Sequence, residues 1–181
     1  GLKLDPNNLA LLNNLAMTYK NLLKYNQAED LYLKIIKLND KYINAFINLG
    51  NLKRDLNKFD EAIELYQKAE IISNNNPIVY YSLALAHQGI GNFQKTISYS
   101  KKTLEINPNF TRADLLISQS TKYQENDEHY HSLKKKIVSM KAKSFEMVDL
   151  CFSLSKAEED LKNIEEASKY MVNGNKIKKE L

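Results

Sequence analysis

Three groups of side chains in this chain have types and spacings that could support chemistry. The first is His129 and His131 beside Glu125, Asp127 and Glu128, nitrogen and oxygen donors of the kind divalent metals bind. Residues two apart on a helix point to different faces, so the two imidazoles do not converge and no metal site is expected. Asp127 and Glu128 suit a helix N-terminus instead, whose dipole favours negative charge. The second is Cys151, the single cysteine, for which no activating base is in evidence. The third is a set of asparagines, of which Asn14 and Asn48 stand 34 residues apart. A side-chain amide donates to and accepts from a peptide backbone at once, so equivalently placed asparagines can grip an extended segment independently of its sequence.

Placing such amides at equal intervals requires a repeated element, and the step of 34 governs the first part of the chain. QAEDLYLKIIKL (27–38), EAIELYQKAEII (61–72) and KTISYSKKTLEI (95–106) recur at that interval. Ala28, Ala62 and Thr96 share one slot, and Tyr25, Phe59 and Phe93 share another. Ahead of each segment lies a second helical one, in which Leu15, Leu49 and Leu83 precede Ala16, Gly50 and Ala84. A small residue there lets a neighbouring helix approach closely. Within these first helices apolar residues recur at i, i+3, i+4 and i+7, a stripe to be buried against the second helix and against the next unit. One unit cannot bury both sides alone, so the units must stack.

This pattern resembles the tetratricopeptide repeat, a 34-residue helix-turn-helix unit. The family's bulky position falls on Leu12, Phe46 and Tyr80, and its next aromatic on Tyr19, from which Lys53 and His87 depart. The resemblance implies an all-α fold, a right-handed superhelical solenoid whose first helices line a concave groove. Repeats are expected at 9–42, 43–76 and 77–110, a degenerate helix pair at 111–147, and a degenerate repeat-like pair at 148–181. In the last of these, Leu154, Ser155, Ile164, Ala167 and Gly174 restore the frame. Pro6 lies one period before Asp40 in the family's terminal proline slot, so residues 1–8 read as the tail of a truncated preceding repeat. Cys151 falls in a bulky buried slot, which implies an inert core thiol.

Helical geometry sets Asn13, Asn14 and Met17 of the first unit opposite the buried stripe, with Asn44, Asn48, Asn51 and Arg54 of the second and Ile78, Tyr81 and Leu85 of the third. These are the expected peptide-binding residues of the groove, amide-rich at one end and apolar at the other. Neutral hydrogen bonds contribute about 0.5 to 1.5 kcal/mol each, so two asparagines need apolar anchors, for which Ile78, Tyr81 and Leu85 are the candidates. Related modules that bind chaperone C-termini use a two-carboxylate clamp of Lys, Asn and Arg. The corresponding positions here are Asn13, Met17, Asn48, Ile78 and Ser82, of which only Asn48 fits, so that ligand class is not expected.

The C-terminal third carries a second resemblance. Residues 118–137 and 151–179, with Phe152, Leu154, Lys156 and Ala157 ahead of a Gly174-Asn175-Lys176 ending, are similar to the region joining repeats to catalytic domain in bacterial tetratricopeptide-repeat sulfotransferases. The resemblance implies that this chain is the non-catalytic repeat part of a larger enzyme of that kind. The chain itself is expected to be no enzyme and to hold no cofactor, because its five glycines form no phosphate-cradling loop after a strand.

Composition narrows the partners. The 26 basic and 22 acidic residues are interleaved, and a net charge of +4 gives no basic face for nucleic acid. Lys134, Lys135, Lys136 and the tail Lys176, Lys178 and Lys179 read as solvated helix faces. With no signal peptide, no bilayer-spanning run and one cysteine, a cytoplasmic location without membrane contact is expected. Function is expected to be recognition of a protein or peptide. The alternative is a free-standing assembly scaffold, or one that self-associates end to end through apolar faces.

Overall fold

A computed structural model of the chain describes residues 6–140 and 143–181. Among these residues there are ten α-helices and no strand: α1 (Leu9–Asn21), α2 (Tyr25–Leu38), α3 (Ile43–Asp55), α4 (Phe59–Ile72), α5 (Pro77–Gly89), α6 (Phe93–Ile106), α7 (Thr111–Ser120), α8 (Glu128–Ser139), α9 (Phe145–Asp160) and α10 (Ile164–Glu180). Gly1–Asp5 of the segment assigned to a preceding repeat lie outside the described residues. None of the helices among the described residues is long and apolar enough to cross a membrane. The helices form two compact units, residues 1–91 with α1–α5 and residues 92–181 with α6–α10.

The turns show why first and second helices meet where they do. Leu23, Asn57, Gly91 and Lys162 all adopt positive φ, between 59° and 73°. The first three are spaced by the repeat, and Lys162 holds the same slot before α10. After α1, α3 and α9 the chain closes with the amide of Lys24, Lys58 or Asn163 donating to the carbonyl five residues back, at 2.9, 2.9 and 2.8 Å. That bond is the signature of a left-handed helix stop, in which the reversed residue redirects the chain and satisfies an orphan carbonyl. Only Gly91 meets the conformation without steric cost.

In the first unit α1 packs on α2, α2 on α3, α3 on α4 and α4 on α5. Its core joins Leu12 and Ala16 of α1, Ala28, Tyr32 and Ile35 of α2, and Ala45, Leu49 and Leu52 of α3. Gly50 lets α4 approach α3 closely, since a Cβ there would lie 2.4 to 2.9 Å from the Tyr66 ring. The Lys53 departure from the aromatic slot is also accounted for. Lys53 is buried, but its ammonium reaches Glu29 of α2 at 2.7 Å and Glu61 of α4 at 2.8 Å, tying three helices together. Burial pulls the Lys53 pKa down, yet the hydrogen bonds to Glu29 and Glu61 outweigh it and leave the amine above its ordinary value.

In the second unit α6 packs on α7, α7 and α8 on α9, and α9 on α10. The segment expected as a degenerate pair departs from a simple hairpin: α7 stops at Ser120, the chain runs extended through Thr121, and the backbone of α8 lies against α9. Tyr123, Leu133, Leu150, Leu154 and Ala157 form the core there. α9 begins at Phe145, three residues ahead of the boundary that periodicity suggests at 148. Gly174 sits inside α10 because a Cβ would come within 3.0 Å of both Cys151 and the Phe152 ring. Close packing on α9 therefore gives the Gly174 position a structural reason of its own.

Candidate functional site

The asparagines of the expected groove fall into two sets. Asn13 is buried (7% exposed), and its side-chain oxygen accepts from the Asn48 amide of the next first helix at 2.9 Å. Asn51 accepts from the Tyr66 hydroxyl of α4 at 2.7 Å. Burial pushes the Tyr66 hydroxyl well above its ordinary pKa, so it serves as a neutral donor. These three amides hold helices to one another, and Asn13 is turned inward instead of being presented to a ligand. Asn14 and Asn44 are exposed on α1 and α3. Their side chains face solvent, where a peptide could reach them.

The apolar positions divide in the same way. Met17 and Ile78 are 44% and 51% exposed, whereas Tyr81 and Leu85 are half-buried. Two groove neighbours, Ile47 and Ser82, are buried, the first among core side chains. At the C-terminal ends of the helices, Lys20 of α1 and Arg54 of α3 share one carboxylate: Lys20 Nζ lies 2.7 Å and Arg54 Nη2 3.5 Å from oxygens of Asp55. Arg54 itself is half-buried. The face thus offers two solvent-facing amides, two exposed apolar side chains and a rim with one more cation than anion.

The second unit holds two polar clusters that the sequence did not disclose. In one, Asp114 of α7 is fully buried and accepts from Lys136 of α8 at 2.7 and 2.8 Å. His129 bridges Asp114 (Nε2, 3.1 Å) and the Tyr123 hydroxyl (Nδ1, 2.6 Å), which in turn meets Ser118 at 2.7 Å. An Asp-His-Tyr relay has the form of acid–base machinery; Asp114 and Tyr123 are buried, at 0% and 3% exposed, while His129 is partly exposed beside a groove also lined by Lys101, Glu105 and Glu128. The relay fastens α7 to α8. In the other cluster, Glu158 of α9 is buried and accepts from Lys134, from Tyr130 at 3.0 Å and from Asn163 at 2.9 Å. Glu158 occupies the slot of Tyr19, Lys53 and His87, three residues that bear no resemblance to a carboxylate, which is why no pattern announced it. Burial alone would raise the Glu158 pKa, but hydrogen bonds from Lys134, Asn163 and Tyr130 win and lower it.

These clusters correct one expectation. Lys134 and Lys136 are not solvated lysines of a helix face: each is tied to a buried carboxylate, and the Lys134 ammonium also lies 5.3 Å from the ring centres of Tyr130 and Tyr170. Lys135, Lys176, Lys178 and Lys179 are exposed. Asp127 caps α8 by accepting from the His129 amide at 2.9 Å, the N-terminal role expected of it, with Glu128 in the first turn. Among the described residues no group of three or more His, Cys, Asp or Glu is placed to hold a metal ion. Cys151 is fully buried beside Asn173, and burial pushes its thiol pKa up, the environment of a core thiol.

Comparison with known proteins fits this geometry. Residues 8–39 and 78–110 match the tetratricopeptide repeat, and residues 50–91 match a further TPR repeat. The human protein O-mannosyl-transferase TMTC3 (Homo sapiens) is 29% identical over 128 residues, 70% of this chain and 14% of that protein, so the chain spans about a seventh of its relative. The crystal structure of MamA protein superposes with a TM-score of 0.71 at 18% identity, covering 94% of this chain and 92% of that one. YrrB, described as a TPR protein with an unusual peptide-binding site, superposes with a TM-score of 0.68 at 16% identity, covering 97% and 89%. At these identities the likeness shows the fold. The chain therefore carries tetratricopeptide repeats within residues 8–110 and has the all-α, helical-repeat fold of such proteins.

Proposed function

We propose that the face built by α1, α3 and α5 binds an extended polypeptide, and that the chain works as a recognition module without catalysis of its own. The observation that carries this is the division of labour among the asparagines. Asn48 to Asn13 and Tyr66 to Asn51 lock neighbouring helices, and the locked face then presents Asn14, Asn44, Met17 and Ile78 outward. Such preorganisation lowers the entropy lost on binding. Asn14 and Asn44 supply backbone hydrogen bonds, each worth about 0.5 to 1.5 kcal/mol, and Met17, Ile78, Tyr81 and Leu85 supply the apolar anchors. The peptide-binding site reported for YrrB, a protein of the same fold, supports the assignment.

The resemblance of residues 118–137 and 151–179 to the linking region of tetratricopeptide-repeat sulfotransferases extends the proposal: the module presents a polypeptide to a sulfotransferase domain of a larger cytoplasmic bacterial protein. A phosphate-cradling Gly-rich loop in the flanking gene sequence is the feature that this extension requires.

A peptide-array screen tests the binding face. Comparing wild type with the Asn14→Ala, Asn44→Ala double variant, we expect bound peptides to be lost while the melting temperature stays unchanged, since both side chains are exposed. Binding that survives in the double variant removes these amides from the account. An array on which the wild type captures nothing overturns the peptide-binding assignment itself.

A further inference from the structure

A cavity of about 290 Å³ opens in the second unit between the N-terminal ends of α7 and α9, which Thr111 and Asp149 join by a hydrogen bond of 2.8 Å. Phe110, Arg112, Phe145, Glu146 and Asp149 are among the residues that line it. In the repeat register Arg112 falls one period after Ile78, and Asp149 stands five residues before Leu154 as Asn44 stands five before Leu49. The slot that holds the neutral Ala10, Asn44 and Ile78 on α1, α3 and α5 therefore holds a cation on α7 and an anion on α9. Both charges line one cavity, yet they are not spent on each other.

Arg112 is exposed and, among the described residues, forms no ion pair. Asp149 is half-buried; its Oδ2 accepts from Thr111, and no donor among the described residues reaches Oδ1. Burial pushes the Asp149 pKa above the ordinary aspartate value, and the Thr111 hydroxyl and the Arg112 charge offset that only in part. A half-buried carboxylate with an open oxygen is stabilised by a ligand that brings a cationic N–H donor to it. Glu146 is already engaged, because its own backbone amide and the Ser144 hydroxyl hold its carboxyl below the usual range at the start of α9. Beside these charges lies the Phe145 ring, 62% exposed, so the cavity also offers an apolar wall wetted by solvent.

We propose that this cavity binds a free α-amino acid with an apolar side chain, its ammonium on Asp149, its carboxylate on Arg112 and its side chain against Phe145 and Phe110. A guanidinium fork matches a carboxylate bidentately, and the open Asp149 oxygen accepts from an ammonium. Size points the same way. Ligand cavities run from roughly 300 to 1,000 Å³, and one at the small end suits an amino acid better than a nucleotide. Either terminus of a polypeptide brings only one of the two charges and leaves the opposite wall unpaired. The site does not depend on the polypeptide-binding face, whose residues lie on α1, α3 and α5.

Titration of the 181-residue chain with L-leucine and with L-phenylalanine near neutral pH, followed by amide NMR, gives the readout. Saturable shifts are expected at the backbone amides of Arg112, Phe145 and Asp149. Arg112→Gln and Asp149→Asn are each expected to weaken binding about tenfold or more at an unchanged melting temperature, since Arg112 is exposed and an asparagine still accepts from Thr111. Two analogues separate the charges: L-leucinamide lacks the carboxylate, 4-methylpentanoate lacks the ammonium, and each is expected to bind about tenfold or more weakly than L-leucine. L-Leucinamide binding as tightly as L-leucine makes the cavity a seat for a simple cation, and 4-methylpentanoate doing so makes it a seat for a simple anion; either result overturns the assignment. Titrations in which neither amino acid gives saturable shifts overturn it as well.

Discussion

At the scale of single residues, the turns hold the most reducible strain. A left-handed conformation costs a residue with a side chain roughly 1 to 2 kcal/mol, and Leu23 bears that cost with its side chain 71% exposed. Leu23→Gly is therefore expected to stabilise the fold by about 0.5 to 1 kcal/mol, and Gly91→Ala to destabilise it by a similar amount, both read as shifts in urea midpoint at constant slope. An unchanged or lower midpoint for Leu23→Gly contradicts this account of the turn. Gly50 is also intolerant of added bulk, through packing and not through backbone conformation. With the Tyr66 ring already 2.4 Å from where a Cβ would sit, Gly50→Val is expected to cost about 2 to 3 kcal/mol by overpacking, and a midpoint equal to wild type rules out the close approach described here.

At the scale of elements, two charged residues in one repeat slot fasten helices by similar ion pairs with different consequences. Lys53→Met removes the buried ammonium and leaves Glu29 and Glu61 able to hydrate, because their side chains are 30% and 50% exposed. A change within about 1 kcal/mol is expected. Lys134→Met instead strands Glu158, which is 1% exposed, and is expected to cost about 2 kcal/mol or more at neutral pH. The pH dependence gives the check. Glu158 is depressed in the folded state, so its contribution is present above the ordinary glutamate range and is lost as pH falls through the folded value. In Lys134→Met the stranded carboxyl can take up a proton, so the gap between variant and wild type should narrow in acid. Urea melts at pH 7 and pH 4 that show the same gap would contradict the assignment.

At the scale of the whole molecule, the single thiol serves as a reporter. Cys151 is fully buried under α10 with its pKa pushed up, so a thiol reagent reaches it only when α9 and α10 part. Labelling is expected to be slow in buffer and to accelerate with urea, and Gly174→Val, which wedges α10 away from Cys151 and Phe152, should speed it markedly. Labelling as fast in buffer as in strong denaturant would mean that the thiol is not enclosed. Chelators should leave the melting temperature unchanged, because among the described residues no set of side chains is placed to hold a metal ion.

The sequence by itself determined the helical class, the step of 34 and the small-for-large exchange at Gly50, because each follows from local periodicity and from side-chain size at a repeated slot. It also marked the candidate face, since a helix opposes one row of residues to another by geometry alone. It left unstated which amides on that face are spent internally: Asn13 and Asn48 lie 35 residues apart, and only the packing of α1 on α3 brings them to 2.9 Å. The lysines Lys134 and Lys136 read as solvated for the same reason, as their partners Glu158 and Asp114 stand 24 and 22 residues away on other helices. Local pattern fixes which face of a helix is apolar. Which polar groups meet is decided by contacts far apart in the chain, where charge and hydrogen bonding are satisfied pair by pair and no period records them.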